Sequence, residues 1–119
     1  MFEHLFTRLE QTIPGLKSVS VVGEDGIEVE SHAPRASFSM DVLGAEMNGI
    51  LRTMKRLQKE SELGKPTEVC IRTNVHNVML YDLAGGVFLL LVTEPFELTG
   101  RVRFEVQRLL HQFTAVLAS

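Results

Sequence analysis

The spacing of apolar residues switches between helical and alternating along the chain, and those switches predict eight elements. Phe2, Leu5, Phe6, Leu9 and Ile13 recur at helical spacing and predict a first amphipathic helix that Pro14-Gly15 ends. In "LKSVSVVGEDGIEVES", residues 16–31, Val19 and Val21 share one face of a strand while Ser18, Ser20 and Val22 share the other. Glu24-Asp25-Gly26 supplies a turn in which Asp25 and Gly26 both tolerate positive φ. Ile27, Val29 and Ser31 then alternate with Glu28, Glu30 and His32, so this second strand is expected to have one wet face.

Pro34 closes the hairpin, and Ser37 or Ser39 is expected to cap the next helix, with Asp41 favoured by its amino-terminal dipole. Met40, Leu43, Met47, Ile50, Leu51, Met54 and Leu57 form an apolar stripe to about Ser61, the longest helix of the chain. Gly64 stops it and Pro66 prevents its resumption. Three strands follow. Residues 68–73 alternate Val69 and Ile71 against Cys70 and Arg72; residues 74–77 turn; residues 78–83 form the next strand. Ala84-Gly85-Gly86 turns the chain into residues 87–92, apolar at every position, which predicts a central strand covered on both faces. Leu98, Val102, Val106, Leu109, Leu110, Phe113, Val116 and Leu117 build a closing helix. The order α-β-β-α-β-β-β-α, with strands in runs and helices segregated, defines an α+β sandwich in one domain, residues 1–119.

Composition narrows the function classes. The 119 residues carry 45% hydrophobic and 23% charged side chains, enough for a core and too ordered a mixture for a disordered chain. A net charge of −3 excludes the strongly basic field that nucleic acid would need. Cys70 stands alone, so no internal disulfide forms and a reduced, cytoplasmic setting is expected. The amino terminus carries Glu3 and Glu10 and does not read as a secretory signal, and no apolar run is long enough for membrane insertion.

Candidate chemistry is sparse. Gly44 and Gly49 have the spacing of a phosphate loop, but Ile50 and Leu51 follow where lysine and serine or threonine are needed, and the segment lies inside a helix. Small residues that permit close helix approach are the expected reading. His4, His32, His76 and His111 fall on different elements without metal-ligand spacing. Cys70 reads as a small strand residue, and the Glu24/Asp25 and Glu28/Glu30 pairs as a solvated hairpin face. No catalytic constellation, metal site or cofactor is expected. Arg101, Arg103 and Arg108, near Glu105, read as a salt-bridged helix face, although an arginine could act in trans on a nucleotide. Two features of the long helix stand out. Arg52, Lys55, Arg56 and Lys59 gather towards its carboxyl end, compensating the dipole or docking an acidic partner. Val42, Ala45 and Gly49 lie off the main stripe, and a helix apolar on more than one side can pack against its own copy.

Element order and local motifs together resemble the Roadblock family, the dynein light-chain-like regulators of small GTPases, and the prokaryotic mutual gliding protein B type in particular. The resemblance rests on "GLKSVSVVGEDGIEVES", on "MDVLGAEMNGILRTMKRLQKESELGKPTEVCI" and on "NVMLYDLAGGVFLLLVTEPFELTGRVRFEVQRLL", and it covers essentially the whole chain. It implies a five-stranded antiparallel sheet with the long helix on one face and the two terminal helices on the other, a Roadblock/profilin-like arrangement. It also implies a homodimer or Roadblock heterodimer joined through the long helices and the third strands. The matching positions are Val42, Ala45, Glu46, Gly49 and Thr53 on the helix and Glu68, Val69, Cys70, Ile71, Arg72 and Thr73 on the strand. An open third strand would otherwise be an aggregation edge, which gives the pairing a physical motive.

The function implied is a non-catalytic scaffold that binds a small Ras-like GTPase, with Arg52, Lys55, Arg56 and Lys59 as docking residues. Family members that stimulate hydrolysis are generally longer, so binding is better supported than activation. The alternative is a profilin-like sensory domain holding a small ligand between sheet and helices. Sheet-facing Leu, Ile, Val, Met and Phe, with no convergent polar set, argue against it.

Overall fold

The computed structural model describes residues 1–35 and 38–119, and the side chains of all of these except Met40 and Asp41. The expected roles of Ser37, Met40 and Asp41 at the start of the long helix lie outside that description. Eight elements follow the expected order: α1 (Glu3–Thr12), β1 (Leu16–Val22), β2 (Glu28–His32), α2 (Met40–Glu60), β3 (Glu68–Arg72), β4 (Asn77–Ala84), β5 (Val87–Thr93) and α3 (Thr99–Ala118). The strands form one sheet in the order β2-β1-β5-β4-β3, antiparallel throughout. β5, the strand apolar at every position up to Val92, sits at the centre as its composition requires.

Period-two alternation sorts the sheet residues into two cores. Val19, Val21, Met79, Tyr81, Leu83, Leu89 and Leu91 meet Phe2, Leu5, Phe6, Leu9 and Ile13 of the α1 segment and Val102, Val106, Leu109 and Phe113 of α3. Phe2 and Phe113 stack there at 5.7 Å between ring centres. On the opposite face Val22, Leu80, Phe88 and Leu90 meet Leu51 and Met54 of α2, with Leu43, Met47 and Ile50 half-buried beside them. Two helices therefore cover one face and a single helix the other.

Several local expectations change. Leu57 is exposed, since α2 has passed the edge of its core by that turn, and Leu98 is the exposed N-cap of α3. The helix ends at Glu60, where Ser61 caps it; Gly64, at φ 89°, turns the chain only later. Ser39 is the N-cap, its Oγ accepting from the Val42 amide at 3.3 Å. In β2 the expected faces are inverted. Glu30 and His32, paired with Val21 and Val19, point to the α1 side, while Ile27 and Val29 are exposed. Local partners explain the inversion: Glu30 accepts from the amino terminus and from the Phe2 amide, and His32 meets Glu10 at 2.8 Å.

Only Gly26 of the hairpin turn has positive φ, at 81°. Asp25 stays in an ordinary conformation and caps the turn by accepting from the Ile27 amide. The turn docks on α2: a Cβ at Gly26 would lie 2.9 Å from Asn48 Cβ, and one at Gly44 would lie 3.2 Å from the Gly26 carbonyl. Gly44 thus serves the close approach expected of the glycine pair, and it does so against its own hairpin. Gly26→Ala combines a strained φ with a clash, so urea unfolding should show a loss of about 1–3 kcal/mol. Gly64→Ala, strained but facing open space, should cost less.

Candidate functional site

The groups considered for catalysis remain dispersed. His4 and His111 are exposed, and no cluster of three or more potential metal ligands occurs among the described residues. His76 Nδ1 lies 3.0 Å from Lys17 Nζ, and burial together with that ammonium holds its pKa below the ordinary value. Cys70 is a residue of β3 with an exposed thiol, and partial burial and nearby Glu68 push its pKa up, away from a reactive thiolate. Arg103 forks onto Glu68 at 2.8 and 2.9 Å. Arg108 reaches Glu105 at 3.4 Å and lies 5.7 Å from the centre of the exposed Phe104 ring, while Arg101 is exposed. The salt-bridged reading fits Arg103 and Arg108.

What the fold does bring together is one continuous surface: the edge strand β3 and the neighbouring outer face of α2. β3 ends the sheet, so half of its backbone groups are unpaired. The Thr73 amide donates to His76 and the Thr67 carbonyl accepts from Asp82, which sets the ladder phase. Alternation then turns the N–H and C=O of residues 68, 70 and 72 to the open edge. Thr73, expected as part of the strand, lies beyond it in the turn, its Oγ1 accepting from the amides of Val75 and His76.

On α2, Val42, Glu46, Gly49, Thr53, Arg56 and Glu60 are all exposed and follow one another at spacings of four and three, one stripe of the helix. Lys55 binds Glu24 and Asn48 abuts Gly26, which directs that flank of α2 to the β1–β2 turn and leaves the stripe on the β3 side. Nothing lies within 4 Å of a Cβ added at Gly49. Arg52 and Lys59 occupy the outward side of the helix, Ala45 lies between them and the stripe, and all three are exposed.

Beside the first turns of α2 an open apolar cleft of about 350 Å³ is lined by Phe38, Ser39, Val42, Leu43, Glu46, His76, Val78 and Val92. Val78 and Val92, paired across β4 and β5, form its floor. Phe38 meets the His76 ring edge-on, with centres 5.2 Å apart. Sequence reasoning missed this cleft, because its lining comes from β4, β5, the β3–β4 turn and α2.

The described residues thus form a sheet covered by helices on both faces, with the β3 edge beside an exposed helix stripe. The Roadblock/LC7 domain model matches residues 1–93, and the chain belongs to that family. A Roadblock/LC7 domain from Streptomyces avermitilis superposes with a TM-score of 0.83 at 16% identity, covering 98% of this chain and 97% of that one. Myxococcus xanthus MglB gives 0.82 at 16% identity, with 93% and 89% covered. MglC from Myxococcus xanthus gives 0.72 at 20% identity, with 96% and 97% covered. No curated protein sequence matches the chain. No helix among the described residues is long and apolar enough to cross a membrane.

The Arg103 guanidinium holds the Glu68 carboxyl below its ordinary value of 4.5. A depressed folded pKa contributes stability that is fully present above the unfolded value and is lost as pH falls through the folded one. Arg103→Gln should therefore lower thermal stability at pH 7 and shrink the further loss between pH 5 and acid, as followed by circular dichroism.

Proposed function

We propose that the chain is a non-catalytic regulatory module that pairs with a second copy, or with another Roadblock/LC7 chain, and in that form holds a small Ras-like GTPase and modulates its hydrolysis. The observation that carries the pairing is the self-complementarity of β3. Pairing two copies antiparallel about Cys70 sets Glu68 opposite Arg72 and Val69 opposite Ile71, with Cys70 facing its own copy. The backbone groups that are free at residues 68, 70 and 72 become the new ladder. β2, the other edge, is a poor competitor: pairing it with itself about Glu30 opposes two glutamates.

The same arrangement supports the helix contacts. α2 runs from the His76 end of the sheet towards Glu24, and β3 runs back to that end. One two-fold axis normal to the sheet therefore makes both the strand pair and the helix pair antiparallel, bringing Val42, Ala45, Glu46, Gly49 and Thr53 to the seam. Arg52 and Lys59 stay on the outward side as a basic surface for an acidic GTPase face, with Lys55 held by Glu24 at its margin and Arg56 drawn into the seam. Family membership supports the choice of a GTPase as partner. The cleft favours a second reading, a profilin-like sensory domain, because its volume falls at the lower end of ligand-pocket sizes. Its apolar lining offers few polar groups to orient a ligand.

Light scattering should give a dimer for the wild-type chain and a monomer for Val42→Glu/Gly49→Glu, since two carboxylates would be buried in the seam. A wild-type monomer in the absence of any other chain would exclude the homodimer. Arg52→Glu/Lys59→Glu should remain dimeric while binding a GTP-loaded Ras-like GTPase at least roughly ten-fold more weakly, with a reduced salt dependence. Unchanged binding by calorimetry would remove the basic face from the interface.

A further inference from the structure

We infer that the apolar cleft beside the start of α2 is the seat of Leu63 from a second copy of this chain. This rests on the dimer proposed above and adds the register and the residue that lock it. Leu63 is 85% exposed in the turn after α2, the most exposed of the large hydrophobic side chains described. An isolated fold gains nothing by presenting a leucine there. Val42, at the rim of the cleft, is 61% exposed, and Leu57 is 41% exposed.

Symmetry decides where that leucine goes. The stripe Val42, Glu46, Gly49, Thr53, Arg56, Glu60 has spacings 4-3-4-3-4, which read the same in both directions. An antiparallel two-fold centred on residue 51 lays the whole stripe on its own copy. Any other centre leaves part of it unopposed. At this centre Gly49 meets Thr53 at the crossing, where the missing side chain lets the helices approach. Glu46 meets Arg56, an opposite-charge pair formed twice, and Ala45 meets the exposed Leu57. Glu60, the last helical residue, then falls opposite Val42 at the rim of the cleft, and the turn beyond Ser61 carries Leu63 on towards residue 39 of the other copy. Ser39 stands in the lining of the cleft between Phe38 and Val42.

The topology agrees independently. The cleft lies at the end of the sheet marked by His76, and Leu63 lies at the opposite end, near the Lys65–Asp82 ion pair. Only a partner turned end for end brings the two together, and the β3 pairing about Cys70 demands that same reversal. Phe38, Val42, Leu43, Val78 and Val92 offer a leucine an apolar lining, which also explains why the cleft lacks a convergent polar set.

The reach of one chain makes the test clean. α2 alone spans about 30 Å, so residues 39 and 63 of the same copy cannot form a disulfide, which needs Cα atoms within about 7 Å. In a Cys70→Ser background, Ser39→Cys/Leu63→Cys should therefore give a reducible covalent dimer on mild oxidation. Glu46→Cys/Arg56→Cys, separated by almost three turns, reports the helix register alone. Leu63→Ser should raise the dimer Kd by roughly ten-fold or more in analytical ultracentrifugation. A wild-type dimer in which 46–56 cross-links and 39–63 does not would overturn the leucine seat and leave the dimer standing. A wild-type monomer with neither cross-link would overturn the seat and the dimer together.

Discussion

Everything in this molecule follows from having to bury both faces of one antiparallel sheet. β5 is apolar on both sides, so neither face can be left to water. The α1/α3 face is closed by two helices whose phenylalanines and leucines interlock over β1, β4 and β5. The other face has a single helix. α2 seals the middle, over Val22, Leu80, Phe88 and Leu90, and cannot reach across five strands. What it leaves uncovered is the cleft over Val78 and Val92, the half-buried Val69 on β3, and an edge of unpaired backbone groups. A domain short of one helix on one face is physically incomplete in a specific direction, and the proposed second copy would complete it.

Among the described residues the fold keeps the titratable side chains apart and uses them between layers. His32 is spent on Glu10, His76 on Lys17, and Glu68 on Arg103. Each contact ties neighbouring segments together: β2 to α1, the β3–β4 turn to β1, and β3 to α3. Charge at these sites works as mortar between layers, each pair contributing modestly. The basic turns of α2 are the exception, because most of that charge remains exposed and pointed away from the sheet.

Self-complementarity is the more informative property of the surface. A strand reading Glu-Val-Cys-Ile-Arg presents opposite ends to its own reversed copy, and a helix stripe with a palindromic spacing does the same. Two such patterns on adjacent elements that run in opposite directions are compatible with one two-fold axis. Edge strands are aggregation hazards unless something specific closes them, and symmetric closure leaves no further edge at β3. At the far edge, glutamates and a bulge between Val21 and Val22 discourage continued growth.

The chain by itself determined the eight elements, the central place of β5 and the sorting of β1 side chains between faces, because those depend on local period and on apolar content. It also carried the family resemblance, whose motifs lie within contiguous segments. Only the tertiary structure decided the orientation of β2, where contacts from the amino terminus and Glu10 outweighed the pull of Ile27 and Val29 towards a core. It decided, too, that Gly44 serves the hairpin while Gly49 stands open, although both sit in one helix with similar neighbours. The cleft was illegible for the same reason: its walls come from segments distant in sequence, and no local spacing encodes a gap between elements. Period is a property of a segment, whereas a face left uncovered is a property of the whole fold.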